Sequence, residues 1–121
     1  APAIASADAL TPDVATANAW LEKLDAKNWN ESWQGTGKPF QSNLTQEQWA
    51  KTAQAVREPL GAVLSRHILG VTKTTSLPGA PDGEYGVLTY SAAFTNKASA
   101  VETVVLARDG TQWKIVGYFI R

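Results

Sequence analysis

Apolar residues in the first part of the chain recur at helical spacing. They follow one another at steps of three or four residues, as on the buried face of a helix. These residues are Val14, Ala17, Leu21 and Leu24, and Trp20 lies beside them. The preceding segment Thr11-Pro12-Asp13 supplies a hydroxyl cap, a proline for the first turn and an acid. We therefore expect this helix to begin at Thr11 and to end near Lys27.

Two further helical segments are predicted before residue 61, which gives three in all. Trp29 and Trp33 are four residues apart and indicate a short helix. The segment Thr45–Gln48 has the sequence of a capping box and opens a longer helix, which Pro59-Leu60-Gly61 should end. The apolar side of this longer helix is expected to carry Trp49, Ala53 and Val56.

The second half of the chain is typical of β-strands, because β-branched and aromatic residues alternate with polar ones. Strands are predicted at about 62–76, 84–95, 99–108 and 112–120. Asn96-Lys97 marks one turn, and Asp109-Gly110 is the strongest hairpin signal. Helices followed by antiparallel strands predict an α+β fold, with the helices covering one face of a four-stranded antiparallel sheet.

The longest predicted loop is Leu77–Tyr85, with the sequence LPGAPDGEY. Each proline fixes a backbone angle, and Pro-Gly and Asp-Gly are turn-forming pairs. These features favour a structural connection between strands. The alternative, a ligand-binding loop, would depend on Asp82, Glu84 and Tyr85.

The final hairpin predicts an acidic side chain in the core. A tight turn at Asp109-Gly110 pairs Leu106 with Trp113 and, further along, Glu102 with Gly117. One face of the hairpin then carries Glu102 together with Val104, Leu106, Trp113, Ile115 and Phe119. A carboxylate on a buried face needs a partner, because an isolated buried charge is very costly.

Three arginines could pair with this carboxylate, since a guanidinium can hold a carboxylate with two parallel hydrogen bonds. They are Arg57, Arg66 and Arg121. The neighbouring strand alternates apolar residues from Leu88 to Phe94, which places Tyr90 near Val104, one residue pair from Glu102.

Three interpretations of Glu102 remain open. It closes a structural ion pair, it binds a polar ligand together with an arginine and a tyrosine, or it is a general base with Tyr90 or Tyr118 as proton donor. Perturbed acids occur both at active sites and in structural ion pairs. Burial and pairing of Glu102 would distinguish the three.

Composition narrows the classes of partner. The 121 residues are 44% hydrophobic and 18% charged, with 11 basic and 11 acidic residues and a net charge of +0. A single globular domain fits this balance, and no basic run predicts a nucleic-acid partner. No apolar run approaches the ~20 residues of a membrane span. The chain has no Cys, and His67 is its only histidine, so neither a metal site nor a cofactor is predicted.

The start of the sequence favours export. Ala1–Ala7 is small and mostly apolar, as residues near a signal-peptide cleavage site are, and the sequence contains no Met. We expect a periplasmic or secreted protein from which a signal peptide has been removed. An artificially shortened chain is the alternative.

Five segments together resemble a known family. They are Arg57–Gly61, Ser65-Arg66, Leu77–Tyr85, Glu102-Thr103 and Gly117–Ile120. The combination is similar to the bacterial domain-of-unknown-function family 4019, from about Trp20 to Arg121. The resemblance implies an exported bacterial protein and no particular activity. More loosely, the order of elements resembles the curved α+β rolls of the cystatin-like and nuclear-transport-factor-like proteins, and that likeness carries over no site residues.

Taken together, these observations predict a flexible lead-in at 1–10 and one α+β domain at 11–121. The favoured function is a non-catalytic module that binds a small molecule or a protein partner, with a ligand held between the helices and the sheet. The ligand-binding candidates are Arg57, Arg66, Tyr90, Glu102, Tyr118 and Arg121. An enzyme that uses Glu102 and a tyrosine, and a structural scaffold that forms a homodimer, are the alternatives.

Overall fold

A computed structural model describes residues 13–121, which form four α-helices followed by a four-stranded antiparallel sheet. The helices are α1 (Val14–Asp25), α2 (Trp29–Gln34), α3 (Lys38–Asn43) and α4 (Gln46–Arg57), and a 3-10 turn, Glu58–Leu60, follows. The strands are β1 (Val63–Thr74), β2 (Tyr85–Phe94), β3 (Lys97–Asp109) and β4 (Gln112–Ile120), adjacent in chain order. The predicted α+β fold is confirmed.

Helix α1 begins later than the sequence predicts. Asp13 is its N-cap, and a side-chain oxygen of Asp13 accepts a hydrogen bond from the Thr16 backbone N at 3.2 Å. The predicted cap, Thr11, lies with the lead-in outside the described residues. The helix ends at Asp25, and its predicted apolar face is buried except for Val14, which is half-buried.

Helix α3, Lys38–Asn43, is absent from the predicted set of three helical segments. Gly37 is its N-cap, and Pro39 lies in its first turn. A proline is accepted there because the first backbone N–H groups of a helix have no intrahelical partner. Phe40 buries its ring from this helix and packs edge-on against Trp49.

Helix α4 has the predicted capping box, with both reciprocal hydrogen bonds between Thr45 and Gln48. Trp49 and Ala53 are buried as expected. The predicted burial of Val56 is wrong, because 39% of this residue is exposed. The next residue, Arg57, is buried instead. The inner side of α4 therefore ends in a charged residue, Arg57.

The core lies between the helices and the inner face of the sheet. Leu88, Val104 and Ile115 project from the strands into the same apolar cluster as the helix residues. Ser32 joins two helices to this core, because its backbone oxygen accepts from Trp20 Nε1 at 2.8 Å and its Oγ accepts from Trp49 Nε1 at 2.7 Å. The indoles of Trp20 and Trp49 thus have hydrogen-bond partners as well as apolar contacts, whereas the buried Trp113 Nε1 has no partner among residues 13–121.

The final hairpin keeps Glu102 inward but differs from the predicted register. Gly110 and Thr111 form its turn, and a bulge lies between the pairs Leu106–Ile115 and Val105–Gly117. The shifted turn moves the pairing by two residues and the bulge by one more, so that Ile120, not Gly117, lies opposite Glu102. The bulge also reverses the faces of the end of β4, so that Phe119 is 63% exposed while Glu102 is fully buried.

Candidate functional site

A group of charged side chains joins the helices to the sheet around Glu102. The side chain of Glu102 projects inward from β3, and Tyr90 on β2 is its direct cross-strand neighbour. Tyr90 is therefore one residue pair closer to Glu102 than predicted. Arg66 on β1 lies opposite Ala92 of β2. Because Ala92 carries only a methyl group, the Arg66 side chain has room to cross β2 and reach Glu102 on β3.

Arg66 connects three elements of the fold. Its Nε donates to Glu102 Oε1 at 2.7 Å. Its Nη1 and Nη2 donate to the two carboxylate oxygens of Asp25, at 2.7 and 2.9 Å. This two-point grip is the strong geometry of arginine on a carboxylate. Since a guanidinium has five N–H donors, two of them lie outside these three bonds.

Arg57 is the second arginine of the group, and it contacts Asp25 and not Glu102. Its Nη2 donates to Asp25 Oδ1 at 2.7 Å, and its guanidinium lies 5.0 Å from the centre of the Phe94 ring. Its Nε and Nη1 are buried without a hydrogen-bond partner among residues 13–121. The aromatic face and the C-terminus of α4 both favour a positive charge at this position.

Tyr118 is the second hydrogen-bond partner of Glu102, because its phenolic O–H donates to Oε2. Burial raises the pKa of Tyr118 well above its ordinary value, and the charge of Glu102 raises it further. The phenol therefore remains protonated at neutral pH. Both carboxylate oxygens of Glu102 are engaged, and no part of Glu102 is exposed. A substrate therefore has no direct access to this acid as a general base.

Asp25 is the centre of the charge group, since it binds both arginines. Burial alone raises the pKa of its carboxyl, but the hydrogen bonds and charges of Arg66 and Arg57 outweigh burial and lower that pKa overall. Two carboxylates and two guanidiniums leave the group neutral. We call Asp25, Arg57, Arg66, Glu102 and Tyr118 the charge network.

A cleft opens beside the charge network, between α1 and the first two strands. Its volume is about 280 Å³. It is lined by Val14, Asn18, Glu22, Arg66, Ile68 and Tyr90. The three helix residues are four positions apart, so they form a stripe beside the core-facing residues of α1. We call this space the α1–β1 cleft.

Polar and apolar groups meet in the α1–β1 cleft. The Tyr90 hydroxyl donates to Asn18 Oδ1 at 3.0 Å. This bond uses the amide oxygen of Asn18 and not its two N–H donors. Burial raises the pKa of Tyr90, while the Arg66 charge opposes the rise and the Glu102 charge adds to it. Val14 and Ile68 supply apolar surface. The cleft can therefore accept a molecule with an apolar body and a hydrogen-bonding end.

The loop LPGAPDGEY lines a different cleft of about 290 Å³, bordered also by Gly37–Pro39, Arg108 and Lys114. Tyr85 is buried and donates its hydroxyl proton to the Pro81 carbonyl, and Gly79 has a positive φ of 77°. These contacts fit the structural interpretation of the loop. Glu84 pairs with Arg108 at 3.3 Å, so these two charges of the cleft face each other.

The structure brings most of the predicted residues together, but not all. Arg66, Tyr90, Glu102 and Tyr118 meet on the inner face of the sheet, with Arg57 one contact away through Asp25. Arg121 is exposed, and its backbone pairs with Val101. Arg121 is thus not a partner of Glu102.

Sequence reasoning missed Asp25 and Asn18. A signal for Asp25 was present, because it lies at the C-terminal end of α1, where the helix dipole disfavours an acid. Asp25 also follows Leu21 by four residues and so shares the buried side of the helix. Asn18 gave no such signal, since an exposed asparagine within a helix is common.

The comparisons with known proteins agree with the resemblance drawn from the sequence. No curated protein matches the chain. Within residues 13–121, no helix combines the length and the apolar character needed to cross a bilayer. The model of the family described as protein of unknown function (DUF4019) matches residues 16–118. Because this match covers most of the 121 residues, the chain belongs to the DUF4019 family.

Proposed function

We propose that this protein is a non-catalytic binding module that holds a small amphipathic molecule in the α1–β1 cleft. The observation that carries the proposal is the composition of that cleft, because apolar Val14 and Ile68 and polar Arg66, Tyr90 and Asn18 line one space of about 280 Å³. This volume is close to the lower end of small-molecule sites, about 300 Å³.

The charge network supports this role by fixing the polar wall of the cleft. Arg66 is held through three hydrogen bonds to Asp25 and Glu102, so a ligand would meet a guanidinium that is already oriented. Preorganised groups bind more tightly because less side-chain motion is lost on binding. The remaining Arg66 and Asn18 donors favour a ligand end that accepts hydrogen bonds.

The burial of Glu102 weighs against the enzyme alternative. General base catalysis requires the base to come within about 3 Å of the proton that it removes. Glu102 is fully buried, neutralised by Arg66 and bound by Tyr118. The acid closest to a ligand in the cleft is instead Glu22, which is exposed.

The proposal is tested by titrating the protein with anilinonaphthalene sulfonate, a fluorescent probe that joins an aromatic body to an acceptor group. We expect saturable binding that Ile68→Glu weakens roughly tenfold, because it places a charge on the apolar wall. Leu64→Glu is the matched control, since Leu64 is on the same strand, is 66% exposed and does not line the cleft. Glu22→Gln should tighten binding of this anion by about threefold.

Two outcomes contradict the proposal. One is fluorescence that rises without saturation. The other is an equal loss of binding in Ile68→Glu and Leu64→Glu, which would locate the probe on the general surface of β1. Location outside the cytoplasm stays a prediction, which fractionation of cells that make the native protein would test.

A further inference from the structure

The face of the sheet that points away from the helices has an unusual composition. We call it the outer face. Its central positions on β2 and β3 alternate with the core residues and carry no charge. Six of them are Val87, Thr89, Ser91, Val101, Thr103 and Val105. None of the six belongs to either apolar cluster of the described residues. An exposed sheet face normally carries polar and charged side chains in alternation with the core.

Phe119 adds a large apolar side chain to the outer face. The bulge in β4 places it beside Thr103 on this face, where it is 63% exposed. Its ring lies over Gly117, with an edge carbon 3.5 Å from the position that a Gly117 Cβ would take. Val105 is within the same distance range of that position. Phe119 thus packs beside Val105, which is only 8% exposed, and the exposed apolar surface at this point belongs mainly to Phe119.

A second copy of the same chain fits this surface electrostatically. The chain has a net charge of +0, and the central positions of the outer face are uncharged. The cations on this face, Arg121 and Lys114, lie at its β4 margin, where they pair with Val101 and Ala107, so a second copy meets little charge at the centre. β-Branched side chains on two such faces can interdigitate, as they do between packed sheets about 10 Å apart.

The area of the outer face sets the expected strength of such a contact. Strands β2 and β4 are 10 and 9 residues long, and four strands of that length cover on the order of 550 Å². Two copies would bury on the order of 1,100 Å², near the lower end of specific interfaces. The contact should therefore be reversible.

The free edge of β1 is a less suitable surface for a second copy. The strand is long and exposes Leu69, but bulges interrupt it between Val63 and Ser65 and between Ile68 and Gly70. Bulges and an exposed lysine such as Lys73 are features that keep an edge strand from pairing with another chain. The outer face has neither feature at its centre.

We infer that the chain forms a reversible two-fold dimer in which the outer faces of two sheets pack on each other, with Phe119 in the contact. This inference is independent of the α1–β1 cleft, which lies on the opposite side of the sheet. The dimer would leave the cleft open in both copies.

The test is light scattering coupled to size exclusion, over concentrations from roughly 1 µM to 1 mM. The wild-type chain should approach twice the 13.0 kDa of one copy at the upper end. Phe119→Glu and Thr89→Glu should remain monomeric throughout, because each places two like charges in the contact. Both sites lie outside the core, and circular dichroism checks that the variants fold.

Val71→Glu is the control, since Val71 is 42% exposed on the edge strand and pairs with Leu88 on the inner face, not on the outer face. It should dimerise like the wild-type chain. A wild-type chain that is monomeric at every concentration overturns the inference. Dissociation by Val71→Glu together with intact dimers of Phe119→Glu also overturns it, because the edge of β1 would then be the interface.

Discussion

The two sides of the helix–sheet interface are held together in different ways. Over β3 and β4, the contacts are apolar, and Leu106 and Ile115 are completely buried among helix residues. Over β1, the main connection is Arg66, which reaches Asp25 on α1 and Glu102 on β3. The difference shows two ways of joining helices to a sheet. Apolar packing holds the helices on β3 and β4, whereas ion pairs connect them to the edge strand β1, beside which a cleft remains open.

The same difference explains why the cleft lies where it does. The core-facing side of α1 is filled by Leu21 and Leu24, whereas its neighbouring stripe carries Asn18 and Glu22. Polar residues cannot close against Ile68 without losing water. An open space between α1 and β1 follows from the sequence of α1.

The largest expected effect comes from breaking the charge network. Glu102→Gln removes the charge that Arg66 and Tyr118 contact and should lower the free energy of unfolding by about 3–5 kcal/mol. Chemical denaturation measures this loss. Glu84→Gln is the control, since its salt bridge to Arg108 is half-exposed and should contribute less than about 1 kcal/mol. Equal effects of the two substitutions would contradict a buried network.

The apolar side should respond through cavity formation. Leu106→Ala removes a fully buried side chain and should cost about 2–5 kcal/mol. Leu69→Ala, on the exposed edge strand, should change the stability by less than about 0.5 kcal/mol. Denaturant midpoints at constant m-value provide the comparison. A large loss in Leu69→Ala would mean that β1 is covered in solution.

A smaller effect is expected at acid pH, from Asp25. Its pKa is lower in the folded protein than in the unfolded chain, so the unfolded chain binds the proton more readily. The resulting stabilisation is complete above the ordinary aspartate pKa of about 3.9 and is lost as the pH falls towards the folded-state pKa. Stability measured from pH 6 to pH 2 should fall less steeply in Asp25→Asn. An identical dependence of stability on pH in both proteins would contradict a lowered pKa of Asp25 in the folded protein.

The alkaline side gives the smallest expected effect, from Tyr118. Its pKa is raised on folding, so its contribution is complete below the ordinary tyrosine pKa of about 10 and is lost above it. Tyr118→Phe should be less stable by about 1 kcal/mol at neutral pH, because a hydrogen bond to Glu102 is lost. Its stability should fall less between pH 9 and pH 11 than that of the wild type. The reverse order would contradict a buried, neutral phenol.

Much of the fold could be predicted from local pattern, and the errors have local causes. The alternation of β3 correctly placed Glu102 and Leu106 on the inner face. Phe119 was placed on the wrong face because one bulge in β4 reverses every later side chain. Gly117 lies beside that bulge, and an isolated glycine within a strand can mark one. Helix α3 was missed because Gly37 and Pro39 can either interrupt a helix or begin one.

The site was harder to predict than the fold, because its partners are far apart in sequence. The arginine candidates for Glu102 included Arg66, but nothing local distinguished it from Arg57 or Arg121. Two tertiary contacts select Arg66 as the partner of Glu102. The small residue Ala92 lies between Arg66 and β3, and Asp25 on α1 binds the same guanidinium. Resemblance to the cystatin-like and nuclear-transport-factor-like rolls stays a prediction beyond the observed α+β arrangement.

The proposed binding site is tested most directly by nuclear magnetic resonance of isotope-labelled protein titrated with anilinonaphthalene sulfonate. The account predicts that the backbone amide signals of Asn18, Ile68 and Tyr90 shift together and reach saturation at one equivalent of bound probe. Signals that shift mainly around Phe119 or Leu64, with those three unchanged, would contradict a ligand site in the α1–β1 cleft.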